Sequence, residues 1–363
     1  MDKKIVLVAR DAAPSGCFSR LAPILRERGF DILLFIGEGK PLAQSRDEIV
    51  RAAESANLVL LGMSSSLDLA TPEIVAAQVA KRANVPFGFY GDVPRCWARA
   101  RPGAWFEAFA ASASFYLGVT EADAEMARGV FATARLIGTG NPLREEMAFP
   151  RFTREYIREA LGIGSNEKLV LAPGGKFAAG NIASWVVIID ALARLQTHSR
   201  QRSQLVLATH PGDRTPSAVD AATQKEMRLY EEMISCSPVP TRIVPKQEFT
   251  TSEMVPGADI IIEFGSSIGI EGAYQGVPVV SLGFEILFRR LEEASGTKEL
   301  ESVTDGLSEL VVGDVSSLVS ALRRFFTVEG FAPMRARQQE LCPKPTERGA
   351  ALRKIADAIA VMM

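Results

Sequence analysis

The chain is short of the residues that most often carry metal, redox and secretory chemistry: its 363 residues include two histidines, four cysteines and three tryptophans. Cys17, Cys96, Cys236 and Cys342 are far apart and form no CxxC pair and no Cys/His zinc spacing. Reduced thiols in a cytoplasmic protein are the expectation. No DxD pair marks a metal-dependent diphosphate site, so neither a metal nor another cofactor is expected. The GxGxxG fingerprint is missing after the first apolar run, which argues against hydride transfer. Apolar runs stay below the roughly 18 residues that a membrane span needs, which limits any membrane contact to a peripheral one. A net charge of −2 gives no broad field for nucleic acid.

What is present is ordinary globular material, 47% hydrophobic and 23% charged, in a chain long enough for two domains. Short apolar runs alternate with helical patterns, which means parallel sheets with both faces covered. The first series runs Ile5 to Ala9, Ile32 to Ile36, Leu58 to Gly62, Pro86 to Tyr90, Phe115 to Val119 and Ala134 to Ile137. Ile5 to Ala9 ends at Arg10 and Asp11, too early for a secretion signal, and reads as a first strand. A helix is expected from Arg20 to Gly29, with Leu21, Ile24 and Leu25 on one face. The second series runs Lys168 to Leu171, Gln204 to Ala208, Thr241 to Val244, Asp259 to Ile262 and Val277 to Leu282. The expected organisation is a first Rossmann-like domain over residues 1–145, a linker over 146–164, a second over 165–340, and a last helix in 341–363 that crosses back.

The stretch Glu263 to Leu282, EFGSSIGIEGAYQGVPVVSL, reads as strand end, small-residue turn, helix and second buried strand. Gly265, Ser266 and Ser267 let a phosphate approach the backbone, with hydroxyls and helix-start amides as donors. Glu271 falls about one turn into that helix, within reach of an attached ribose; a solvated acid on a plain strand–turn–helix unit is the other reading. Gly174, Gly175 and Lys176 follow another strand and supply backbone freedom and a cation for a diphosphate, or an ordinary turn. His210, before Pro211 at the end of the Gln204 to Ala208 run, is a phosphate donor or proton carrier, or a strand-end imidazole bonded to backbone. His198 reads as solvated at a polar helix end.

In the first domain, Asp11 and Asp92 both stand at strand ends, where a carboxylate can act as a base or cap a turn. Arg95, Trp97 and Arg99 lie in a segment, Pro94 to Phe109, that also holds Arg101, Trp105, Phe106 and Phe109. That mixture fits contact with an anionic, apolar acceptor or a membrane surface, or a buried helix with snorkelling arginines.

These residues together resemble the nucleotide-sugar glycosyltransferases of the GT-B fold and the related UDP-N-acetylglucosamine 2-epimerases. Gly138-Thr139-Gly140-Asn141-Pro142-Leu143-Arg144 is similar to the interdomain segment of the peptidoglycan transferase that makes lipid II and of lipid A disaccharide synthase. Gly265-Ser266-Ser267 with Glu271 and Gly276-Val277-Pro278-Val279-Val280 resembles the donor motif of the superfamily, where the small residues bind the diphosphate and the acid holds the ribose. His210-Pro211 resembles the His-Pro pair of the epimerases. Asp11-Ala12-Ala13-Pro14 stands where the lipid II enzyme has a glycine-rich loop with a histidine, and the epimerases' first-domain acid cluster is not recognisable. The resemblance implies two tandem Rossmann-like domains facing across a cleft, with Asn141-Pro142 near the hinge. It implies transfer of a sugar from a nucleoside-diphosphate donor, UDP or similar, to a hydroxyl acceptor that is a glycan, lipid-linked or a small molecule. The alternatives are a 2-epimerase or sugar-nucleotide hydrolase, and a non-catalytic nucleotide-sugar binding protein.

Overall fold

The computed structural model describes residues 3–99, 103–175, 178–199, 201–209, 221–245, 247–285, 288, 289, 292, 300–312 and 314–363. The chain forms two compact units, Met1–Glu146 with Pro345–Met363, and Met147–Lys344.

In the first unit, β1 (Lys4–Ala9), β2 (Asp31–Ile36), β3 (Leu58–Gly62), β4 (Phe87–Tyr90), β5 (Phe115–Gly118) and β6 (Arg135–Gly138) form one sheet in the order β2-β1-β3-β4-β5-β6. Every neighbouring pair is parallel. Because side chains alternate across a strand, Ile5, Leu7 and Ala9 pack on one face with Phe18, Leu21 and Leu25 of α1 (Ala12–Glu27). Val6 and Val8 pack on the other face, the side of α2 (Arg46–Glu54) and α3 (Thr71–Arg82). Each fully buried aliphatic side chain of this kind contributes about 1.5–3 kcal/mol.

Helix α1 starts earlier than the sequence pattern predicts. The pattern predicts no helix before Arg20, yet the helix begins at Ala12 because the Asp11 carboxylate caps it, accepting the Ala12 amide at 2.9 Å. Pro14 is tolerated in the first turn, where its missing N–H has no intrahelical partner to lose. The aromatic segment also differs from a single helix. It holds two short turns, Cys96–Ala98 and Glu107–Ala110, with Trp105, Phe106 and Phe109 buried in the core.

The final helix, Ala350–Met362, lies on the α1 face and adds Ile355 and Ile359 to its core. Its first amides, Ala350 and Ala351, donate to the Glu145 carboxylate at 2.9 and 2.6 Å, a cap supplied from more than 200 residues away in sequence. Gly140, at φ 89°, leaves room for this: a Cβ there would come within 2.9 Å of the Ala351 methyl.

In the second unit, β7 (Lys168–Pro173), β8 (Ser203–Ala208), β9 (Thr241–Val244), β10 (Ile260–Glu263), β11 (Val279–Gly283) and β12 (Glu309–Val312) are ordered β12-β11-β10-β7-β8-β9, again all parallel. Val170, Leu205, Ile260 and Val280 face Trp185, Ile188 and Leu192 of the Ala178–Ser199 helix. Leu169, Val206, Ile261 and Val279 face Ile157, Met254 and Ile268. Ile157 belongs to a helix, Arg154–Ala160, within the residues read as a linker; Arg154 and Arg158 each reach Asp259 at 2.8 Å. Strand β12 has no counterpart in the sequence reading. It is an edge strand with Leu310 and Val312 exposed, so it lacks the continuous burial that makes inner strands legible.

The two strand orders place the sites. In each sheet the order reverses once, and the loops on the two sides of that point part to leave a crevice at the strands' carboxyl ends. The reversal lies between β1 and β3 in the first unit and between β7 and β10 in the second.

Candidate functional site

At the second unit's reversal, β10 ends in Glu263 and the chain turns through Phe264 and Gly265. Gly265 has φ 61°, a left-handed conformation that a side chain would strain. The Ser266 amide donates to Glu263 Oε2 at 2.8 Å, and the Ile268 amide approaches Ser266 Oγ at 3.4 Å. Ser267 starts the helix Ile268–Tyr274, whose seven residues give only a short dipole. The turn therefore carries small side chains, with Ser267 exposed and Ser266 half-buried, while one of its amides is already bound by protein.

That amide is held by a buried polar network. Glu263 is 1% exposed. Its Oε1 accepts hydrogen bonds from the Ser281 hydroxyl and, at 3.1 Å, from Ser302 Oγ; Ser308 Oγ lies 2.8 Å from Ser281 Oγ. Burial raises the Glu263 carboxyl above its ordinary range, against the hydrogen bonds from Ser281, Ser266 and Ser302.

Glu271 is buried rather than solvated. Ser252 Oγ donates to its Oε2 at 2.7 Å and Gln275 Nε2 to its Oε1 at 3.5 Å. Burial raises its carboxyl, with the Ser252 bond opposing. Across the reversal, the Gly174 amide donates to the Ala208 carbonyl at 2.7 Å. The Gly175 amide donates to Asn181 Oδ1 at 2.6 Å, and Asn181 Nδ2 returns a bond to the Gly175 carbonyl at 3.2 Å. Asn181, pinned further by Tyr230 at 3.0 Å, fixes the glycine pair. Lys176 and His210, the proposed cation and imidazole of this site, lie outside the described residues.

In the first unit, Asp11 closes β1. Its Oδ1 caps α1 and its Oδ2 accepts the Ser65 amide at 3.1 Å, while the Asp11 amide donates to Ser64 Oγ at 3.0 Å. Asp92 stands after β4 and is 6% exposed. Arg99 Nη2 lies 3.6 Å from its Oδ1 and Cys96 Sγ 3.7 Å. Burial raises the Asp92 carboxyl, opposed by Arg99 and reinforced by the charge on Asp11. Asn141 both accepts the Leu143 and Arg144 amides, at 2.9 and 3.1 Å, and donates to the Asp92 carbonyl.

Arg99, read as an acceptor or membrane contact, is thus spent on Asp92 and on the Met63 carbonyl. Trp97 is half-buried, with Nε1 donating to Asp123 Oδ1 at 3.0 Å. The Arg95 amide donates to the same oxygen at 2.7 Å, which holds Arg95 at φ 56°. Beside β1, Arg10, Leu42, Gln44, Arg46 and Thr71 line a pocket of about 220 Å³.

Several of these residues escaped the sequence reading. Glu263 is a charged residue closing an otherwise apolar strand, and that contrast could have marked it. Ser64, Asn181 and Asp123 carry no such signal, because each acquires its role from a partner distant in sequence.

No protein-family model matches the chain, and no curated protein matches it by sequence. Solved structures match it over its length. A Listeria monocytogenes structure, provisionally described as a UDP-N-acetylglucosamine 2-epimerase, is 14% identical with a TM-score of 0.61, covering 99% of this chain and 96% of that one. The UDP-GlcNAc 2-epimerase from Neisseria meningitidis bound to UDP-GlcNAc gives 13% and 0.55, over 99% and 100%. MurG from Acinetobacter baumannii gives 12% and 0.57, over 99% and 100%. The chain shares their fold, two Rossmann-like units in tandem, the GT-B architecture.

Proposed function

We propose that this protein is an enzyme acting on a nucleoside-diphosphate sugar, with UDP as the first nucleotide to test. The observation that carries the reading is the coincidence of a chain-long fold likeness to UDP-sugar proteins with a small-residue turn and a buried acid at the second unit's reversal point. In this reading Gly265, Ser266 and Ser267 receive the diphosphate, Glu271 takes the ribose hydroxyls, and Gly174, Gly175, Lys176 and His210 complete the phosphate contacts. Fixed donors aimed at the diphosphate stabilise the charge that develops as the anomeric C–O bond breaks and its electron pair leaves with the phosphate oxygen.

Two fates of the sugar fit. In transfer, Asp11 or Asp92 takes the proton of an acceptor hydroxyl, whose oxygen bonds the anomeric carbon as the diphosphate departs. The pocket beside Arg10 and Arg46 is a place for that acceptor. In 2-epimerisation, a base takes the proton from the sugar's second carbon as the diphosphate leaves the first, the C–H electron pair forming a double bond between them; an acid then returns a proton to the opposite face as the diphosphate oxygen adds back. The fold likeness to UDP-GlcNAc 2-epimerases supports this second reading, and burial, which raises the Asp92 carboxyl, suits that residue to hold a proton.

One experiment separates them. The protein is incubated with UDP-GlcNAc in D2O without acceptor and followed by NMR. Deuterium at the second carbon with a new epimer means epimerisation, and free UDP with GlcNAc means hydrolysis. An intact substrate that is consumed only when a hydroxyl acceptor is added means transfer. A chain whose melting temperature is unmoved by millimolar UDP, CDP, GDP, ADP and TDP is not a nucleotide-sugar enzyme. In the same assay Glu271→Ala weakens nucleotide binding about tenfold, the loss of one charged hydrogen-bond partner.

A further inference from the structure

Glu73 is a carboxylic acid that none of the chemistry above uses, yet it is completely buried at the first unit's reversal point. It sits in the first turn of α3, and its Oε1 gathers two donors from other elements: the Arg10 amide at 3.1 Å and the Ser64 hydroxyl. Its Oε2 has no partner among the described residues. Buried carboxyl oxygens without a partner are uncommon and call for a cause.

The two groups that Glu73 holds are the two that present Asp11. The Arg10 amide belongs to the peptide before it, and Ser64 Oγ accepts the Asp11 amide at 3.0 Å. Next to Ser64, the Ser65 amide binds Asp11 Oδ2. Trp105 Nε1 donates to the Ser64 carbonyl at 2.8 Å, which fixes Ser64 from the opposite side. We propose that Glu73 is the positioning residue of the first unit's strand-end site, holding the β1–α1 turn and the β3 end together so that Asp11 is presented, with a grip that depends on whether Glu73 carries a proton. The proposal rests on the reading of Asp11 as a working carboxylate only for its consequence in turnover; the grip itself is a property of the turn.

The dependence on protonation follows from the geometry. A neutral acid keeps its proton on Oε2 and offers the carbonyl oxygen Oε1 to both donors. An anion places charge on Oε2, which is buried and has no partner among the described residues. Burial accordingly raises the Glu73 carboxyl to about 7, with the charge of Asp11 in the same direction and the Ser64, Glu73 and Arg10 hydrogen bonds opposing. The surrounding charges are few. From β1 come Arg10, whose guanidinium turns away to the Lys40 and Asp68 carbonyls, and Asp11. The end of β3 gives the uncharged Ser64, with the Arg99 guanidinium beyond it bridging the Met63 carbonyl and Asp92, and α2 packs through Ile49, Ala52 and Ala53 with Arg46 exposed. Ionisation near neutral pH thus sets two carboxylates against each other through one serine.

The test is site-resolved amide hydrogen exchange on the full chain, corrected for intrinsic rates, for wild type and Glu73→Gln between pH 5.5 and 8.5. The expected result is protection of the Arg10 and Asp11 amides that falls at least fivefold between pH 5.5 and about 7 and levels off above it in the wild type, and is flat in Glu73→Gln, which keeps the Oε1 acceptor and cannot ionise. Core amides of β7 serve as the internal standard. A wild-type profile that is flat, or a fall that persists in Glu73→Gln, overturns the proposal. Asp11→Asn separates it from the functional reading: unchanged turnover of the sugar nucleotide removes Asp11 as the base while leaving the exchange result to stand or fall alone. Where Asp11 is the base, Glu73→Gln also removes any kcat transition near pH 7 and keeps the KM for the sugar nucleotide within twofold. A transition near pH 7 that survives the substitution counts against Glu73.

Discussion

At the first unit's reversal point the buried acid, Glu73, reaches in from a helix and engages donors with one oxygen; at the second unit's, Glu263 ends the strand itself and engages donors with both. Both lie under a loop at the carboxyl end of the sheet, and both are raised by burial. The difference is what surrounds the second oxygen. Glu263 fastens the Ser266 amide and a cluster of serine hydroxyls, so its loss strands several buried polar groups at once. Glu73 leaves Oε2 without a partner among the described residues, so the donors on Oε1 offset only part of the penalty on its anion. The comparison teaches that a fully partnered buried acid acts as a fastener, whereas a half-partnered one acts as a titrating group.

The largest expected effect breaks the fastener. Glu263→Ala leaves Ser281, Ser302 and the Ser266 amide without their acceptor, at a cost of about 3–4 kcal/mol. Urea denaturation measures it, and a loss below about 1 kcal/mol refutes the comparison. Next comes the titrating group. Below about pH 4.5 Glu73 is protonated in both states; as pH rises the unfolded chain releases its proton first, until the folded acid ionises at about 7. Stability is therefore lost across that window, on the order of 3 kcal/mol for a shift of this size. Glu73→Gln removes this slope from stability measured against pH; an unchanged slope assigns it to other groups.

A smaller effect sharpens the view of the second site. Gly265→Ala forces a side chain into the left-handed region and costs about 1–2 kcal/mol. A melting curve with and without UDP reads both the strain and any loss of binding. The smallest is Asp11→Asn, which keeps an oxygen to cap α1 and changes stability by less than about 0.5 kcal/mol. A larger drop would mean that the charge itself, not the cap, holds the turn.

The strands were legible where they are buried on both faces, as in Ile5 to Ala9 or Asp259 to Ile262, because a continuous apolar run has few other uses. Strand β12 was not, because its Leu310 and Val312 face solvent and the pattern there resembles a loop. The start of α1 was hidden by Pro14, which ends helices in their interior but not in their first turn. At the site, Gly265, Ser266, Ser267 and Glu271 were visible as a contiguous motif. The acids' partners were not: Ser64 and Glu73 are nine residues apart, and Ser302 and Glu263 are 39 apart, with no spacing rule to connect them.

The sequence by itself determined that this chain alternates strand and helix in two series and that small residues and one acid follow the strand ending at Glu263, because burial and backbone freedom are written locally. The tertiary structure decided which strand ends adjoin. The orders β2-β1-β3 and β9-β8-β7-β10 put Asp11 beside Ser64 and the glycine pair across from Gly265. It also decided which carboxyls are buried with partners and which without. Those outcomes depend on contacts between residues far apart in the chain, whose energies exist only once the sheets have closed and water has left the strand ends.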